Sequence, residues 1–89
     1  MNQQTRTLNQ LRKRIDRIDR ELLRWLNRRA ALVVRIGHLK RKQRLPVFDS
    51  RREKEVLSRL IRTNLGPLPR NSVQKIFREI LDGCRKLQT

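Results

Sequence analysis

Eighty-nine residues carry at most one domain, with hydrophobic residues at 36% and charged residues at another 36%. Twenty-four Lys and Arg against eight Asp and Glu leave a formal charge of +16, so the expected partners are polyanions or small anionic ligands. No apolar run approaches the ~18–20 residues that cross a bilayer, residues 1–6 lack the apolar core of a signal peptide, and a lone Cys84 excludes an internal disulfide, so the expected compartment is the cytoplasm.

Residues 8–42 contain no proline and a single glycine, Gly37. Leu8, Leu11, Ile15, Ile18, Leu22, Trp25, Leu32, Ile36 and Leu39 recur at alternating spacings of three and four, which is a heptad seam. The spacing predicts a helix over about 6–42, and at ~1.5 Å per residue the 8–42 stretch alone would be about 50 Å long. So small a domain cannot cover such a rod, which must pair with a second copy or a partner. Gln43-Arg44-Leu45-Pro46 ends it, because proline removes a donor and disfavours helix in the residue before it.

A second helix is expected over about 50–64. Asp49 and Ser50 offer capping oxygens at its start, Glu53 completes a capping box from Ser50, and Val56, Leu57, Leu60 and Ile61 form its apolar face. Gly66-Pro67-Leu68-Pro69 breaks the chain. A third helix follows over about 71–88, starting around Asn71-Ser72, with Val73, Ile76, Phe77, Ile80, Leu81, Cys84 and Leu87 on one side. With no strand-like alternation and no repeat, residues 1–89 read as a single all-α domain of three helices with a very long first helix.

Several residues break this pattern. Arg29 occupies the seam between Trp25 and Leu32, where burial of a guanidinium requires an anion or a carboxylate, unless the seam there faces water. Lys40 lies three turns further on the same side, ~16 Å along the axis, which leaves room for a small dianion between the two side chains. Arg12 is ~25 Å from Arg29 along the rod and points to another face, so it can join the same small ligand only from a second chain. Asp49, Arg52 and Glu53 share one face of the second helix, where the two acids serve either as caps or as polar lining. Cys84 and Gln88 stand i, i+4 on the third helix; a core thiol and a surface amide are the plain alternatives. His38 has no second histidine, and no nucleophile, metal or phosphate-loop constellation is present. A cationic pocket with a few hydrogen-bonding groups suits binding and charge stabilisation better than covalent chemistry.

These segments, in this order, resemble the all-helical class of chorismate mutases. They are Leu11-Arg12-Lys13-Arg14-Ile15-Asp16 with Ile18-Asp19, Leu26-Asn27-Arg28-Arg29, Ile36-Gly37-His38-Leu39-Lys40, Pro46-Val47-Phe48-Asp49-Ser50-Arg51-Arg52-Glu53, Ile76-Phe77 and Cys84-Arg85-Lys86-Leu87-Gln88. The resemblance covers residues 8–88 and implies an intertwined helical homodimer that converts chorismate, a dianion, to prephenate, with no metal or organic cofactor. It implies that Arg12 crosses from the partner subunit and that Arg29, Lys40 and Arg52 hold the substrate carboxylates. Asp49 and Glu53 would line the pocket near the ring hydroxyl, and Gln88 would join Lys40 at the ether oxygen. Cys84 stands where the family commonly has serine, and a thiol is the weaker donor. Two other readings stay open: an isochorismate pyruvate-lyase on the same scaffold, and a basic helical nucleic-acid binder. Cations outside the pocket, such as Arg17, Arg20, Arg24, Arg35 and Arg62, favour the latter, although Asp16–Arg20, Arg17–Glu21 and Glu55–Arg59 are spaced to pair locally. The binding of nucleic acid is expected to be non-specific at most.

Overall fold

In a computed structural model that describes residues 2–88, the chain is three helices with no strand among the described residues. Met1 and Thr89, the ends of the expected 1–89 domain, lie outside them. Helix α1 spans Gln3–Lys42, α2 Ser50–Thr63 and α3 Arg70–Arg85; the last turn, Lys86–Gln88, tightens into a 3-10 turn instead of extending α3. No helix among the described residues is long and apolar enough to cross a membrane.

The α1 rod sets the shape of the molecule. Asn2 caps it, its side-chain oxygen accepting from the Thr5 amide at 2.8 Å. At ~1.5 Å per residue its 40 residues span ~60 Å, matching the 62 Å longest dimension of a chain only 24 and 16 Å across. Every residue from 10 to 28 is exposed, and the seam is exposed with them: Leu11 is 47%, Ile15 56% and Trp25 63% accessible. Only the C-terminal part of α1 packs, against α3 and the 3-10 turn.

Proline is not what stops α1. The stop is a Schellman closure, in which Leu45 N–H donates to the Lys40 carbonyl at 2.8 Å and Arg44 N–H to the Arg41 carbonyl at 3.1 Å. Arg44 takes the left-handed conformation (φ 58°) that glycine normally supplies at this place. Pro46 follows one residue after the closure and only prevents resumption.

The start of α2 departs from the expected capping box. Asp49 is the cap, accepting from the Arg52 amide at 3.1 Å, while Glu53 turns away to Arg85 of α3. Helix α3 begins one residue earlier than Asn71, behind Pro69, with no side-chain cap. The expected i, i+4 ion pairs do not close: among the described residues the ion pairs are Arg52–Glu55, Arg85–Glu53 and Arg85–Asp82. Long exposed side chains gain little from such pairing against the entropy of holding them.

The buried apolar core is small. Among the described residues Val73, Leu81 and Cys84, all on α3, are its members, and Gly37 is the buried residue of α1. Three buried side chains are a thin core for a chain of this length.

The closure of α1 makes a testable statement. A non-glycine residue in the left-handed region costs about 1–2 kcal/mol, partly offset in glycine by the entropy of a freer unfolded chain. Arg44→Gly should therefore raise unfolding free energy by about 0.5–1 kcal/mol, seen as a higher urea midpoint at unchanged slope.

Candidate active site

A cavity of about 300 Å³ opens between the C-terminal part of α1, the 43–49 connection, the start of α2 and the end of α3. Seven of the eight residues singled out in the sequence line it: Arg29, Lys40, Asp49, Arg52, Glu53, Cys84 and Gln88. The eighth, Arg12, does not reach it; it lies on the exposed N-terminal half of α1. Leu32, Val33, Ile36, Val47, Val56 and Leu81 supply an apolar wall. Arg85 also faces the cavity, a member that the sequence reading passed over.

Each polar side chain is held by its element. Arg29 is half-buried on α1, and its Nη1 is buried with no hydrogen-bond partner among the described residues. An unmatched buried donor of a permanently charged group is costly, and an anion in the cavity would relieve it. Lys40 sits in the last turn of α1, where its carbonyl serves the Schellman closure and its Nζ donates to the Val47 carbonyl at 3.3 Å. The closure thereby brings Val47 and Asp49 back to the helix they have just left.

Gln88 reaches the cavity because the 3-10 turn lies against α1. Its Nε2 donates to the Val33 carbonyl at 3.4 Å, and its own carbonyl accepts from Arg41 Nη1 at 2.5 Å. Arg41 Nη2 lies 3.1 Å from His38 Nδ1, so the guanidinium is tied to its own helix as well as to the turn. The turn lies close over Gly37: a Cβ there would stand 3.4 Å from Gln88 Cγ and 3.5 Å from its Cα, ordinary contact that leaves no room for a larger side chain. Hydrogen bonds of 3.3–3.4 Å are long, so the Lys40 and Gln88 donors are weakly committed to the protein.

Glu53 and Arg85 form the tightest charged contact in the cavity wall. Arg85 Nη2 donates to Oε1 at 2.6 Å and Nε to Oε2 at 3.2 Å, a side-on bidentate pair between α2 and α3. The guanidinium also lies over the Phe48 ring, 4.2 Å from its centroid. The hydrogen bond to Glu53 raises the Arg85 pKa above its ordinary value, partly opposed by desolvation and helped by the charges of Glu53 and Asp82. Arg85 follows Leu81 by one turn on the inward side of α3, and that i, i+4 placement was the available signal for it. Arg52 is engaged at 3.7 Å with Glu55 in the open, while Cys84 is buried in the floor.

The lining thus holds four cationic side chains against two acidic ones. With Glu53 matched by Arg85, the residual charge of Arg29, Lys40 and Arg52 over Asp49 favours a small dianion. Among the described residues no group of three or more His, Cys, Asp and Glu is placed to hold a metal ion.

Comparison with known proteins agrees in sequence and in fold. The family model for chorismate mutase type II matches residues 11–89. The chain is similar to the bifunctional chorismate mutase/prephenate dehydratase of Aquifex aeolicus, 44% identical over 85 residues, covering 91% of this chain and 24% of that protein. The protein of the same description from Neisseria gonorrhoeae is 45% identical over 73 residues, covering 82% of this chain and 20% of its own length. The chain therefore spans a quarter or less of the curated relatives it matches. Its fold is similar to that of chorismate mutase (form II) from Thermus thermophilus, with a TM-score of 0.90, 40% identity, and coverage of 92% of this chain and 93% of that one.

The tight seat of Gln88 can be checked at Gly37. Alanine meets ordinary van der Waals contacts there and gains about 1 kcal/mol of helix propensity, so Gly37→Ala should hold or raise stability. Gly37→Val adds two methyl groups against the turn and should push it off α1. Amide exchange at Leu87 and Gln88 should accelerate in the valine variant and stay at parental rates in the alanine variant.

Proposed function

The chain belongs to the type II chorismate mutase family, and from that premise we propose that its cavity binds chorismate and isomerises it to prephenate. The observation that carries this reading is Arg29: its guanidinium has a buried nitrogen without a partner, and the residue lines a cavity sized for a small molecule and carrying an excess of positive charge.

The chemistry asks for what such a cavity offers. The rearrangement is unimolecular: a C–O bond breaks as a C–C bond forms, so neither nucleophile nor electron carrier takes part. Arg29, Arg52 and Lys40 hold the two carboxylates and fold the substrate into the chair-like shape in which the reacting carbons meet. Asp49 and Glu53 face the ring hydroxyl. Negative charge grows on the ether oxygen as its bond breaks, and Lys40 and Gln88 donate to it, more strongly in the transition state than in the ground state. Both donors now rest on long hydrogen bonds to backbone carbonyls, so little is lost when they turn to substrate. Cys84 in the floor offers a weak donor at most.

The site is completed by a second copy of the chain. Two α1 seams packed against each other remove from water the apolar rows that the single chain leaves exposed, and they bring Arg12 of one copy over the pocket of the other. The resulting intertwined homodimer has two equivalent sites, and the cytoplasm is the compartment we assign to it. As the chain spans a quarter or less of its curated relatives, the proposal concerns this domain alone.

Incubating the protein with chorismate and following its loss against the appearance of prephenate tests the reading directly; no conversion overturns it. Arg12→Ala and Arg29→Ala should each remove most activity and leave the helical content unchanged. Mixed and allowed to exchange subunits, the two variants should recover part of it, because one site per heterodimer is then intact. Proven heterodimers without recovery would place both residues in the same subunit's site.

The ether-oxygen role of Gln88 has its own pH signature. The amide donates at any pH, whereas a glutamate donates only when protonated, and its ordinary pKa is about 4.3. Partial burial should raise that pKa, so Gln88→Glu should keep modest activity near pH 5 and lose nearly all of it by neutral pH, where a carboxylate repels the growing charge. A kcat/KM profile for Gln88→Glu as flat and as high as the parent's would remove Gln88 from the mechanism.

A further inference from the structure

We propose that Arg85 is a positioning residue, which fixes the Glu53 carboxylate as a hydrogen-bond acceptor in the cavity and acts on the reaction through Glu53 without touching the substrate. The proposal rests on the mutase reading and on the place of Glu53 in it.

The geometry distinguishes this role from that of a substrate-binding arginine. Two of the five guanidinium N–H donors, on Nε and Nη2, are spent on the two oxygens of Glu53. Nη2 also lies 3.5 Å from the Asp82 carboxylate, one turn back on its own helix, and one face of the guanidinium is covered by Phe48. Arg85 is thus held by three elements, α2, α3 and the 43–49 connection. Arg29, by contrast, lines the cavity and has a buried nitrogen with no protein partner. Of the two, Arg29 is poised for an anion and Arg85 is already occupied by one.

Two consequences follow for the site. A carboxylate gripped on both oxygens cannot rotate, so its remaining lone pairs point in set directions and serve a substrate hydroxyl without a cost of ordering at the moment of binding. The adjacent guanidinium also offsets its charge, and a dianion can enter a cavity that contains an acidic residue without net repulsion from it.

A double-mutant cycle in kcat/KM separates the alternatives, with Glu53→Ala, Arg85→Ala and the double variant compared in the full chain. A hydrogen bond involving a charged group is typically worth about ten- to a hundredfold, and each single variant should lose that much. The double variant should lie within about threefold of Glu53→Ala, because Arg85 has nothing left to position. Arg85→Lys, which keeps the charge but cannot bridge both oxygens, should recover only part of the loss. Arg85→Gln replaces Arg85→Ala in the cycle if the latter does not fold, as judged by its urea midpoint. Losses that multiply in the double variant would make Arg85 a substrate ligand in its own right and overturn the proposal. Lowered stability with unchanged kcat/KM would reduce Arg85 to a staple and overturn it equally. A parent chain with no turnover of chorismate overturns the mutase reading and this proposal with it, whereas an active parent with multiplying losses overturns the Arg85 assignment alone.

Discussion

A 40-residue helix carries an apolar row from end to end, and its own chain covers only the C-terminal part of it. That mismatch governs the rest of the molecule. Helices α2 and α3 together are shorter than α1, and among the described residues the buried apolar side chains are three, all on α3, so the two helices can serve one end of the rod and no more. The uncovered row includes Leu11, Ile15, Ile18, Leu22 and Trp25, a contiguous apolar surface of the kind that marks an interface. The proposed second copy answers the packing problem and the chemical one together, since the same exposed half of α1 carries Arg12, which no bending of a continuous helix could return to its own pocket.

At the covered end, packing and electrostatics are one arrangement. The Schellman closure turns the chain within three residues of Lys42, and this short return lets Val47 meet Lys40 and Asp49 line the same cavity. The 3-10 turn after α3 settles on Gly37, where no side chain intervenes, and is tied down by Arg41. Cations would repel one another in so small a space. The fold answers by matching Arg85 to Glu53, while Arg29 is left only partly satisfied and Arg52 has no more than a loose contact with Glu55 in the open. A cavity made this way is charged but not saturated, which suits capture of a small dianion.

Most of the +16 charge lies elsewhere. Arg17, Arg20 and Arg24 stand on the exposed part of α1, and few acids are near enough to pair with cations of the surface among the described residues. Exposed like charges cost little at physiological salt, where they are screened within about 8 Å. In dilute salt they raise the local concentration of any anion and hasten its arrival at the cavity. The same surface attracts polyanions, and for that reason charge alone is a poor guide to function here.

How much was legible in the sequence depended on whether the information was local. The heptad row, the breaks at 43–46 and 66–69, and hence three helices with one very long, follow from periodicity and from residues that cannot continue a helix. Seven residues lining the cavity were also legible: Arg29 because a charge on an apolar row needs a partner wherever the row is buried, and the set as a whole only through the resemblance to the chorismate mutases. The failures were choices between near-equal local options. Glu53 had a capping role open to it from Ser50, and took Arg85 instead, 32 residues away. Pro46 looked like the end of α1, whereas Arg44 in a left-handed conformation made the turn two residues earlier. The hold of Arg41 on Gln88 spans 47 residues and has no counterpart in spacing. Periodicity specifies which face of each helix is apolar. Which polar side chains meet is decided only when those faces pack and set the separation and rotation of the helices, and a hydrogen bond made or missed turns on differences of less than an ångström.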